Sequence, residues 1–221
     1  MENFGSLILP LLLSALVGYL LGSISFAILL TKAFAHEDVR AHGSGNAGAT
    51  NVLRVAGKKA SALTFLLDFC KCVASVLVGY FLVKHACVAN GVDPEMARLG
   101  MYAAGFCCMI GHMYPLYFGF RGGKGILSSA ALAIMMDWRI FVIGFSLFLI
   151  IVFATHYVSL GSILAATAYA VLFVIFFPGQ PWIWSIAIAM AVLAIFMHRS
   201  NIARLLHGTE TKTYLLKSKK K

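Results

Sequence analysis

Long apolar stretches recur along the chain from residue 7 to residue 196, and this repetition constrains the fold more than any other feature. A helix needs about 20 predominantly apolar residues to cross a bilayer, and lipid offers no water to the polar groups of an open backbone. The sequence therefore predicts an all-α integral membrane protein with about seven transmembrane helices. The candidate ranges are 5–31, 60–83, 97–118, 125–136, 140–154, 158–177 and 183–197.

Composition agrees with a protein that lies in lipid. Of the 221 residues, 61% are hydrophobic and 12% are charged, and the mean hydropathy is +0.88. The fourth and fifth candidate ranges are short, which indicates helices that are tilted or partly re-entrant. We expect a single polytopic domain over residues 1–221, in which residues 198–221 form a basic cytoplasmic tail. The five cysteines contain no C-x-x-C pair, so we interpret them as small core residues and predict no metal site and no cofactor.

The distribution of charge predicts the orientation of the helices. The net charge is +10, from 18 Lys and Arg against 8 Asp and Glu. Basic residues cluster after the first and third helices and in the tail, and the positive-inside rule puts these segments in the cytoplasm. An odd number of helices then leaves the N-terminus outside and the C-terminus in the cytoplasm. The charge suits anionic lipid headgroups or anionic substrates, and no soluble basic domain exists to bind nucleic acid.

The first segment with a chemical signature covers residues 42–59, HGSGNAGATNVLRVAGKK. Its glycines let backbone amides approach a ligand closely, its hydroxyl and amide side chains donate hydrogen bonds, and Arg54 can grip a phosphate with two parallel bonds. This combination predicts an anion-binding loop. A flexible polar linker is the competing interpretation, but linkers seldom combine so many small donors with spaced cations.

The second segment, residues 111–125, reads GHMYPLYFGFRGGKG. Its Gly-Gly-Lys-Gly turn at the start of a helix would present bare N–H groups, the positive end of a helix dipole and the Lys124 ammonium group to one anion. The Walker spacing is absent, which argues against nucleotide hydrolysis. The competing interpretation is a tight hairpin with a snorkelling lysine. His112, in the same segment, is either a hydrogen-bonded structural residue or a base.

The third segment covers residues 198–212, HRSNIARLLHGTETK. On a helix, the spacing of three between His198, Asn201 and Arg204 puts an imidazole, an amide and a guanidinium on one face. An amphipathic interfacial helix that touches lipid headgroups is an equally good interpretation of this segment taken alone. Inside the second apolar run, Asp68 and Lys71 are spaced i, i+3, and we expect them to pair with each other or with a loop. We favour a role in supporting the site over direct chemistry.

Together, these segments resemble the acyl-phosphate-dependent glycerol-3-phosphate acyltransferase family of bacterial membranes. The features that carry the resemblance span the chain: Gly22-Ser23-Ile24, GSGNAGATN with Arg54 and Gly57-Lys58, Gly111-His112 with Pro115, Gly122-Gly123-Lys124-Gly125, and His198-Arg199 with Asn201-Ile202 and Arg204-Leu205. The pattern departs from the family at Ser25, Cys72 and Ser128, none of which is a charged or amide residue of the site.

The resemblance implies a seven-helix, multi-pass protein of the bacterial plasma (inner) membrane with its active site facing the cytoplasm. The implied reaction moves a fatty acyl group from acyl phosphate to the sn-1 hydroxyl of glycerol 3-phosphate, giving lysophosphatidic acid and phosphate. It also implies that Ser44, Arg54 and Lys124 hold the reacting phosphates and that His198 and Asn201 orient glycerol 3-phosphate. The implied pocket is completed by Gly43, Gly45, Asn46, Thr50, Asn51, Lys58, His112, Gly122, Gly123 and Arg204.

Two other classes of protein fit the sequence less well. An organophosphate transporter predicts cations deep in several helices or two matched broken helices, whereas the cations here collect at one side of the membrane. A phosphatidyl transferase predicts clustered aspartates that bind Mg²⁺, and the sequence has no such cluster. For the acyltransferase, the base that takes the hydroxyl proton stays open among His198, His112 and the phosphate of the substrate, and we favour the phosphate.

Overall fold

The computed structural model describes residues 4–213, and in this range the chain forms α-helices and short 3-10 helices without any β-strand. The chain divides into two compact units, Met1–Trp138 and Arg139–Lys221. The helices, in chain order, are α1 Ile8–Gly22, α2 Phe26–Ala35, α3 Ala49–Val55, α4 Gly57–Asn90, α5 Ala97–Met113, α6 Ile126–Met136, α7 Trp138–Thr155, α8 Val158–Phe176, α9 Pro181–Met197 and α10 Arg199–Leu206.

The all-α class is confirmed, whereas the count of seven spanning helices is only partly matched. Four helical segments of the described chain are long and apolar enough to cross a bilayer, namely Phe4–Ala35, α4, α7 and α8. A fifth is present if α9 and α10, which meet at a bend of 57°, are one span. With 17 and 11 residues, α5 and α6 are shorter. The fourth predicted range is short, as expected, but the fifth is not, because α7 has 18 residues.

The first predicted span, 5–31, corresponds to the apolar segment Phe4–Ala35, but the helix is interrupted within it, because α1 ends at Gly22 and α2 begins at Phe26. The break frees backbone carbonyls that a continuous helix would satisfy. Lys71 of α4 supplies the missing donors, since its Nζ donates to the carbonyls of Gly22 at 3.0 Å and Ile24 at 2.6 Å. Its charge is balanced by Asp68 at 2.8 Å, which confirms the predicted pair. A buried ion pair thus stabilises a local irregularity of the first helix.

Glycines let the helices of the first unit approach each other at backbone distance. A Cβ atom at Gly22 would overlap the carbonyl of Cys108, and one at Gly79 would overlap the carbonyl of Gly100. Small residues favour such close packing in membrane proteins, where apolar side chains gain little by leaving lipid for protein. This packing of α1 and α4 against α5 brings His112, near the end of α5, next to the break between α1 and α2.

In the second unit, α8 packs against α9, and the chain after α10 returns to the start of α8. There, the backbone N–H of Thr213 donates to the carbonyl of His156 at 2.8 Å. Much of the segment predicted as a tail, from His198 to Thr213, therefore belongs to this folded unit. The predicted position of the N-terminus (Met1 to Asn3) and the lysine-rich end (residues 217–221) lie outside the described residues.

Candidate active site

Asn51, which is 1% exposed, organises the loop of the first segment. Its Nδ2 group donates to the carbonyls of Val39 at 2.8 Å and His42 at 2.9 Å, and its Oδ1 accepts the backbone N–H of Ser44 at 2.9 Å. Gly43 permits this arrangement, because its φ is +59° and a Cβ atom there would overlap Oδ1 of Asn51. The side chain of Asn51 therefore holds the shape of the loop from inside it.

The loop leaves several predicted binding residues accessible. Ser44 of the loop is exposed, and α3 carries the exposed Arg54 in its last turn. Lys58 is exposed at the start of α4, whereas Asn46 and Thr50 are half-buried and Gly45 has a φ of +70°. The arrangement combines hydroxyl, amide and guanidinium donors in one surface loop, which is chemistry that suits a phosphate group.

The Gly-Gly-Lys-Gly turn corrects one expectation, because its first two backbone N–H groups are not bare. The N–H of Gly122 donates to the carbonyl of Met113 and that of Gly123 to the carbonyl of His112, each at 3.0 Å. These bonds satisfy carbonyls at the end of α5, which lack partners within the helix. The start of the turn is thereby fixed to α5, and Lys124, the third residue of the turn, is half-buried.

The first two segments meet at Gly123. A Cβ atom at this position would overlap the imidazole of His112 and lie 2.8 Å from the carbonyl oxygen of Ala47, in the first loop. On its other edge, the His112 ring has Nδ1 at 3.3 Å from Lys71 Nζ and 3.8 Å from Asp68 Oδ1. His112 is 8% exposed and lies between the Asp68–Lys71 pair and the turn. These surroundings favour a structural role for His112 over a role as a base.

Arg40, just before the first segment, makes a second connection to the second segment, and the sequence patterns did not single it out as a site residue. Its Nη1 donates to the carbonyls of Phe118 at 2.6 Å and Arg121 at 3.3 Å, just before the turn. Its Nε and Nη2 donate to the carboxylate of Asp38, at 3.1 and 2.8 Å respectively. The side-chain hydrogen bond from Arg40 lowers the pKa of Asp38 to about 2, although burial acts in the opposite direction. Both groups are therefore charged at neutral pH.

The third segment lies in the second unit and is organised by Glu210, a residue that sequence reasoning missed. The Glu210 carboxylate, 6% exposed, accepts hydrogen bonds from Asn201 Nδ2 at 2.7 Å, Arg204 Nε at 2.7 Å and Ser159 Oγ at 2.9 Å. Burial tends to raise the pKa of Glu210, but these hydrogen bonds and the Arg204 charge outweigh it and lower the pKa. The convergence of Asn201 and Arg204 on one helix face is confirmed.

His198 stands at the bend between α9 and α10 and is 3% exposed. Its Nδ1 lies 2.7 Å from the carbonyl oxygen of Ala194, which can only accept a hydrogen bond. Nδ1 is therefore the protonated nitrogen, and the ring orientation is set by α9. The structure brings the predicted site residues of the first and second segments together within one unit. It organises the third segment around an internal carboxylate within the other unit.

Two sequence signals could have identified the missed residues. Glu210 is the only acidic residue after Asp137, and it follows a segment with several cations. Asp38 and Arg40 form an Asp-x-Arg pair directly before the glycine-rich loop. Neither signal identifies the partner, since the partners of Arg40 are backbone carbonyls about 80 positions away. Among residues 4–213, no group of three or more His, Cys, Asp or Glu side chains is arranged to hold a metal ion.

Comparison with known proteins agrees with the resemblance. The glycerol-3-phosphate acyltransferase family profile matches residues 12–208. The glycerol-3-phosphate acyltransferase of Thermoanaerobacter pseudethanolicus is 42% identical over 200 residues, which cover 90% of this chain and 94% of the relative. That of Clostridioides difficile is 39% identical over 212 residues, which cover 96% of this chain and 97% of the relative.

A solved structure is also similar. It is the crystal structure of PlsY (YgiH), an integral membrane glycerol 3-phosphate acyltransferase, in its glycerol 3-phosphate form. The two chains superpose with a TM-score of 0.76 and 36% sequence identity, over 93% of this chain and 96% of the other. A lysophosphatidic acid form of the same enzyme matches with the same TM-score. Since the family profile covers most of the chain and the relatives align along nearly their whole length, this protein is a membrane acyltransferase that belongs to the glycerol-3-phosphate acyltransferase family.

Proposed function

We propose that the enzyme transfers a fatty acyl group from acyl phosphate to the sn-1 hydroxyl of glycerol 3-phosphate, releasing lysophosphatidic acid and phosphate. The names of the relatives support glycerol 3-phosphate as the acceptor, and the similar solved structure was determined in a glycerol 3-phosphate form and a lysophosphatidic acid form. The acyl-phosphate donor rests on the family resemblance and on the chemistry of the two contacting segments.

The contact between the first loop and the Gly-Gly-Lys-Gly turn is the observation that carries this proposal. At Gly123, these two segments approach at backbone distance, and each contributes a cation, Arg54 from one and Lys124 from the other. Residues 42–59 and 121–125 contain no Asp or Glu. A site of this charge suits a reaction in which both reactants carry a phosphate group, because the two anions repel each other unless cations lie between or beside them.

In this proposal, Ser44, Arg54 and Lys124 bind the reacting phosphates. His198 and Asn201 orient glycerol 3-phosphate. Around them, the internal contacts of three residues favour positioning roles: Asn51 holds the loop, His112 supports the turn, and Arg204 anchors Glu210. The remaining pocket residues present backbone or neutral groups or, in one case, an exposed cation: Gly43, Gly45, Asn46, Thr50, Lys58, Gly122 and Gly123.

The reaction needs no covalent enzyme intermediate, because acyl phosphate is already an activated mixed anhydride. The sn-1 oxygen attacks the acyl carbon, the bond between that carbon and the phosphate oxygen breaks, and the hydroxyl proton leaves to a base. The substrate phosphate is our preferred base, because residues 42–59 and 121–125 contain no Asp or Glu and Nδ1 of His112 faces the Lys71 ammonium group. His198 is the alternative base, since its Nδ1 donates to a carbonyl and its Nε2 keeps a lone pair. Positioning of the reactants and stabilisation of charge then supply the catalysis.

The membrane arrangement is part of the proposal. We propose seven membrane helices in one polytopic domain over residues 1–221, with the N-terminus outside and the C-terminus and active site facing the cytoplasm of a bacterial inner membrane. The positive-inside rule supports this orientation, because the basic connections after the first and third predicted helices share one side. The fatty chain of the donor would stay between helices or in lipid.

Turnover by the purified protein in lipid tests the choice of donor. The enzyme is supplied with glycerol 3-phosphate and with either acyl phosphate or acyl-CoA of the same chain length, and the lysophosphatidic acid formed is measured. We expect product with acyl phosphate and little or none with acyl-CoA. Equal or faster turnover with acyl-CoA would overturn the proposed donor, while a product acylated at the sn-2 hydroxyl would overturn the proposed position.

A further inference from the structure

We propose, on the basis of the function proposed above, that Arg40 is a positioning residue, which Asp38 orients and which sets the distance between the loop of Ser44 and the turn of Lys124. Arg40 lies in the chain just before the first segment, and its Nη1 donates hydrogen bonds to two carbonyls of the second segment. Neither Arg40 nor Asp38 is among the residues that the sequence patterns place in the binding site.

The guanidinium of Arg40 is largely committed to protein oxygens, although it is a cation beside an anion-binding loop. All three of its guanidinium nitrogens donate to protein oxygens, on Asp38, Phe118 and Arg121. The charge is balanced by the Asp38 carboxylate at 2.8 Å, and the two side chains are only 21% and 30% exposed. A guanidinium used in this way acts through geometry, because its planar fork fixes the direction of each hydrogen bond.

A short chain of contacts connects Arg40 to the loop of Ser44. The backbone N–H of Arg40 donates to Asp38 Oδ1 at 2.9 Å, which holds the backbone and the side chain of this pair in one unit. The carbonyl of the preceding residue, Val39, accepts from Asn51, and Asn51 accepts the N–H of Ser44. Any movement of Arg40 is therefore transmitted to the loop by directed hydrogen bonds.

The other end of the connection reaches the turn of Lys124. The Arg121 carbonyl that Arg40 binds directly precedes Gly122, whose N–H is bonded to the end of α5. Between the two carbonyls that Arg40 binds lies Phe120, with a φ of +57°. A bulky residue rarely adopts this left-handed conformation unless the surrounding contacts enforce it. The bonds from Arg40 on either side of Phe120 provide such contacts and hold the turn in its observed shape.

The kinetic consequence follows from the separation of roles. The residues proposed to orient glycerol 3-phosphate, His198 and Asn201, lie outside the two segments that Arg40 connects, so the affinity for glycerol 3-phosphate should change little when Arg40 is replaced. The relative placement of the two segments should change, and a displacement of about 1 Å between reacting groups can cost on the order of 100-fold in rate. We therefore expect a loss in kcat with a KM for glycerol 3-phosphate within about threefold of wild type.

Arg40→Lys is the sharpest variant, because it keeps the positive charge beside Asp38 but cannot span the carboxylate and two carbonyls. Arg98→Lys is the matched control, since Arg98 pairs with Glu95 at 3.1 Å near the opposite end of α5 and both are well exposed. We expect Arg40→Lys to lower kcat on the order of tenfold or more and Arg98→Lys to leave it near wild type. A purely electrostatic role for Arg40 predicts instead that Arg40→Lys retains wild-type kcat, which would overturn the proposal.

Two further measurements separate positioning from loss of folding. Asp38→Asn leaves Arg40 in place but weakens its orientation, and we expect the same pattern of lower kcat with a nearly constant KM. Hydrogen exchange at the N–H groups of Gly122 and Gly123 should be faster in Arg40→Lys than in Arg98→Lys, because the turn has lost an anchor. Wild-type exchange there in Arg40→Lys would overturn the proposal even if that variant were unstable.

The same variants distinguish this proposal from the proposed function. If wild-type protein uses acyl-CoA rather than acyl phosphate, the proposed donor fails, and the Arg40 comparison is then made with acyl-CoA. If wild-type protein uses acyl phosphate and Arg40→Lys matches it in kcat and in exchange, the proposed function stands and the positioning role of Arg40 fails.

Discussion

The Lys71 ammonium group donates a 2.6 Å hydrogen bond to the carbonyl of Ile24, 47 residues earlier in the chain, and so bridges the break between α1 and α2. The same ammonium group is 2.8 Å from Asp68 Oδ1 and 3.3 Å from His112 Nδ1. A single buried cation thus connects the broken first helix to the residue that supports the Gly-Gly-Lys-Gly turn. The stability of the first unit should therefore depend strongly on the Lys71 side chain.

Lys71→Met should destabilise the protein strongly while preserving the length of the side chain. It leaves the Asp68 carboxylate buried without its cation and removes the donor to the carbonyls of Gly22 and Ile24. Breaking a buried pair in this way typically costs about 3–5 kcal/mol. Thermal unfolding in detergent measures the loss of stability. Lys84→Met is the control, because Lys84 is exposed and lies over the Tyr80 ring. Equal melting temperatures for Lys71→Met and Lys84→Met would contradict the prediction.

Gly123→Ala should reduce kcat/KM because a methyl group cannot fit between the two segments. Its Cβ atom would overlap the His112 ring and lie 2.8 Å from the Ala47 carbonyl, so the turn must move away from the loop. We expect a loss on the order of 10- to 100-fold, typical of a displacement near 1 Å. Steady-state kinetics tests this against Gly5→Ala, since Gly5 has no atom within 4 Å of its Cβ position. A fully active Gly123→Ala would show that the close approach is unimportant.

Lys124→Ala should be nearly inactive, and Lys124→Arg should distinguish contact with the reacting phosphate from anchoring at the headgroups. Arg preserves the charge but replaces a compact ammonium with a planar fork in a turn built of glycines. If Lys124 contacts the reacting phosphate, kcat should fall by on the order of tenfold or more, about 1.4 kcal/mol of lost transition-state stabilisation. Normal kcat and KM in folded Lys124→Arg would instead indicate an anchoring lysine that snorkels.

Glu210→Gln should destabilise the second unit in a pH-dependent manner. The pKa of Glu210 is lowered in the folded protein, so the stability that its charge contributes is present above the ordinary value of 4.5 and is lost as the pH falls through the folded value. At pH 7, we expect Glu210→Gln to lose about 1–3 kcal/mol, since the hydrogen bonds from Asn201, Arg204 and Ser159 no longer reach a carboxylate.

The difference in melting temperature between wild type and Glu210→Gln should narrow as the pH falls below 4.5 and through the lower pKa of folded Glu210, because the carboxyl group takes up a proton first in the unfolded chain and then in the folded protein. Glu95→Gln is the control, since Glu95 pairs with Arg98 on the surface, and surface pairs contribute little. A difference that stays constant between pH 7 and pH 4 and does not shrink at lower pH would show that the charge of Glu210 is not what stabilises the fold.

Single-cysteine labelling tests the proposed topology. In a cysteine-free background, Ser44 and Lys124 should be labelled from the cytoplasmic side and Asn90, the last residue of α4, from the outside. Asn201 should share the cytoplasmic side, but because it is buried, the exposed neighbouring Ser200 is the better position to label. Labelling of Ser44 and Asn90 from the same side would contradict the odd number of helices.

Much of this protein could be predicted from its sequence because the relevant forces are local. Apolar runs determine helices that cross lipid, since the requirement to satisfy the backbone applies within each helix. The i, i+3 spacing of Asp68 and Lys71 predicted their ion pair, because three residues return a helix to nearly the same face. The polar segments with glycines and cations likewise identified the loop and the turn that the structure brings into contact at Gly123.

Only the tertiary structure decided features that depend on partners far away in the chain. No proline marks the break after Gly22 in the sequence. The break is stabilised because Lys71 donates hydrogen bonds to the carbonyls that the break leaves without helix partners. The N–H groups of Gly122 and Gly123 were expected to be bare, but they close the end of α5. Arg40 and Glu210 acquire their roles only from residues that folding places beside them. Hydropathy and spacing carry no information about such contacts, because a hydrogen bond between distant residues depends on how the helices pack and not on the residues next to each partner.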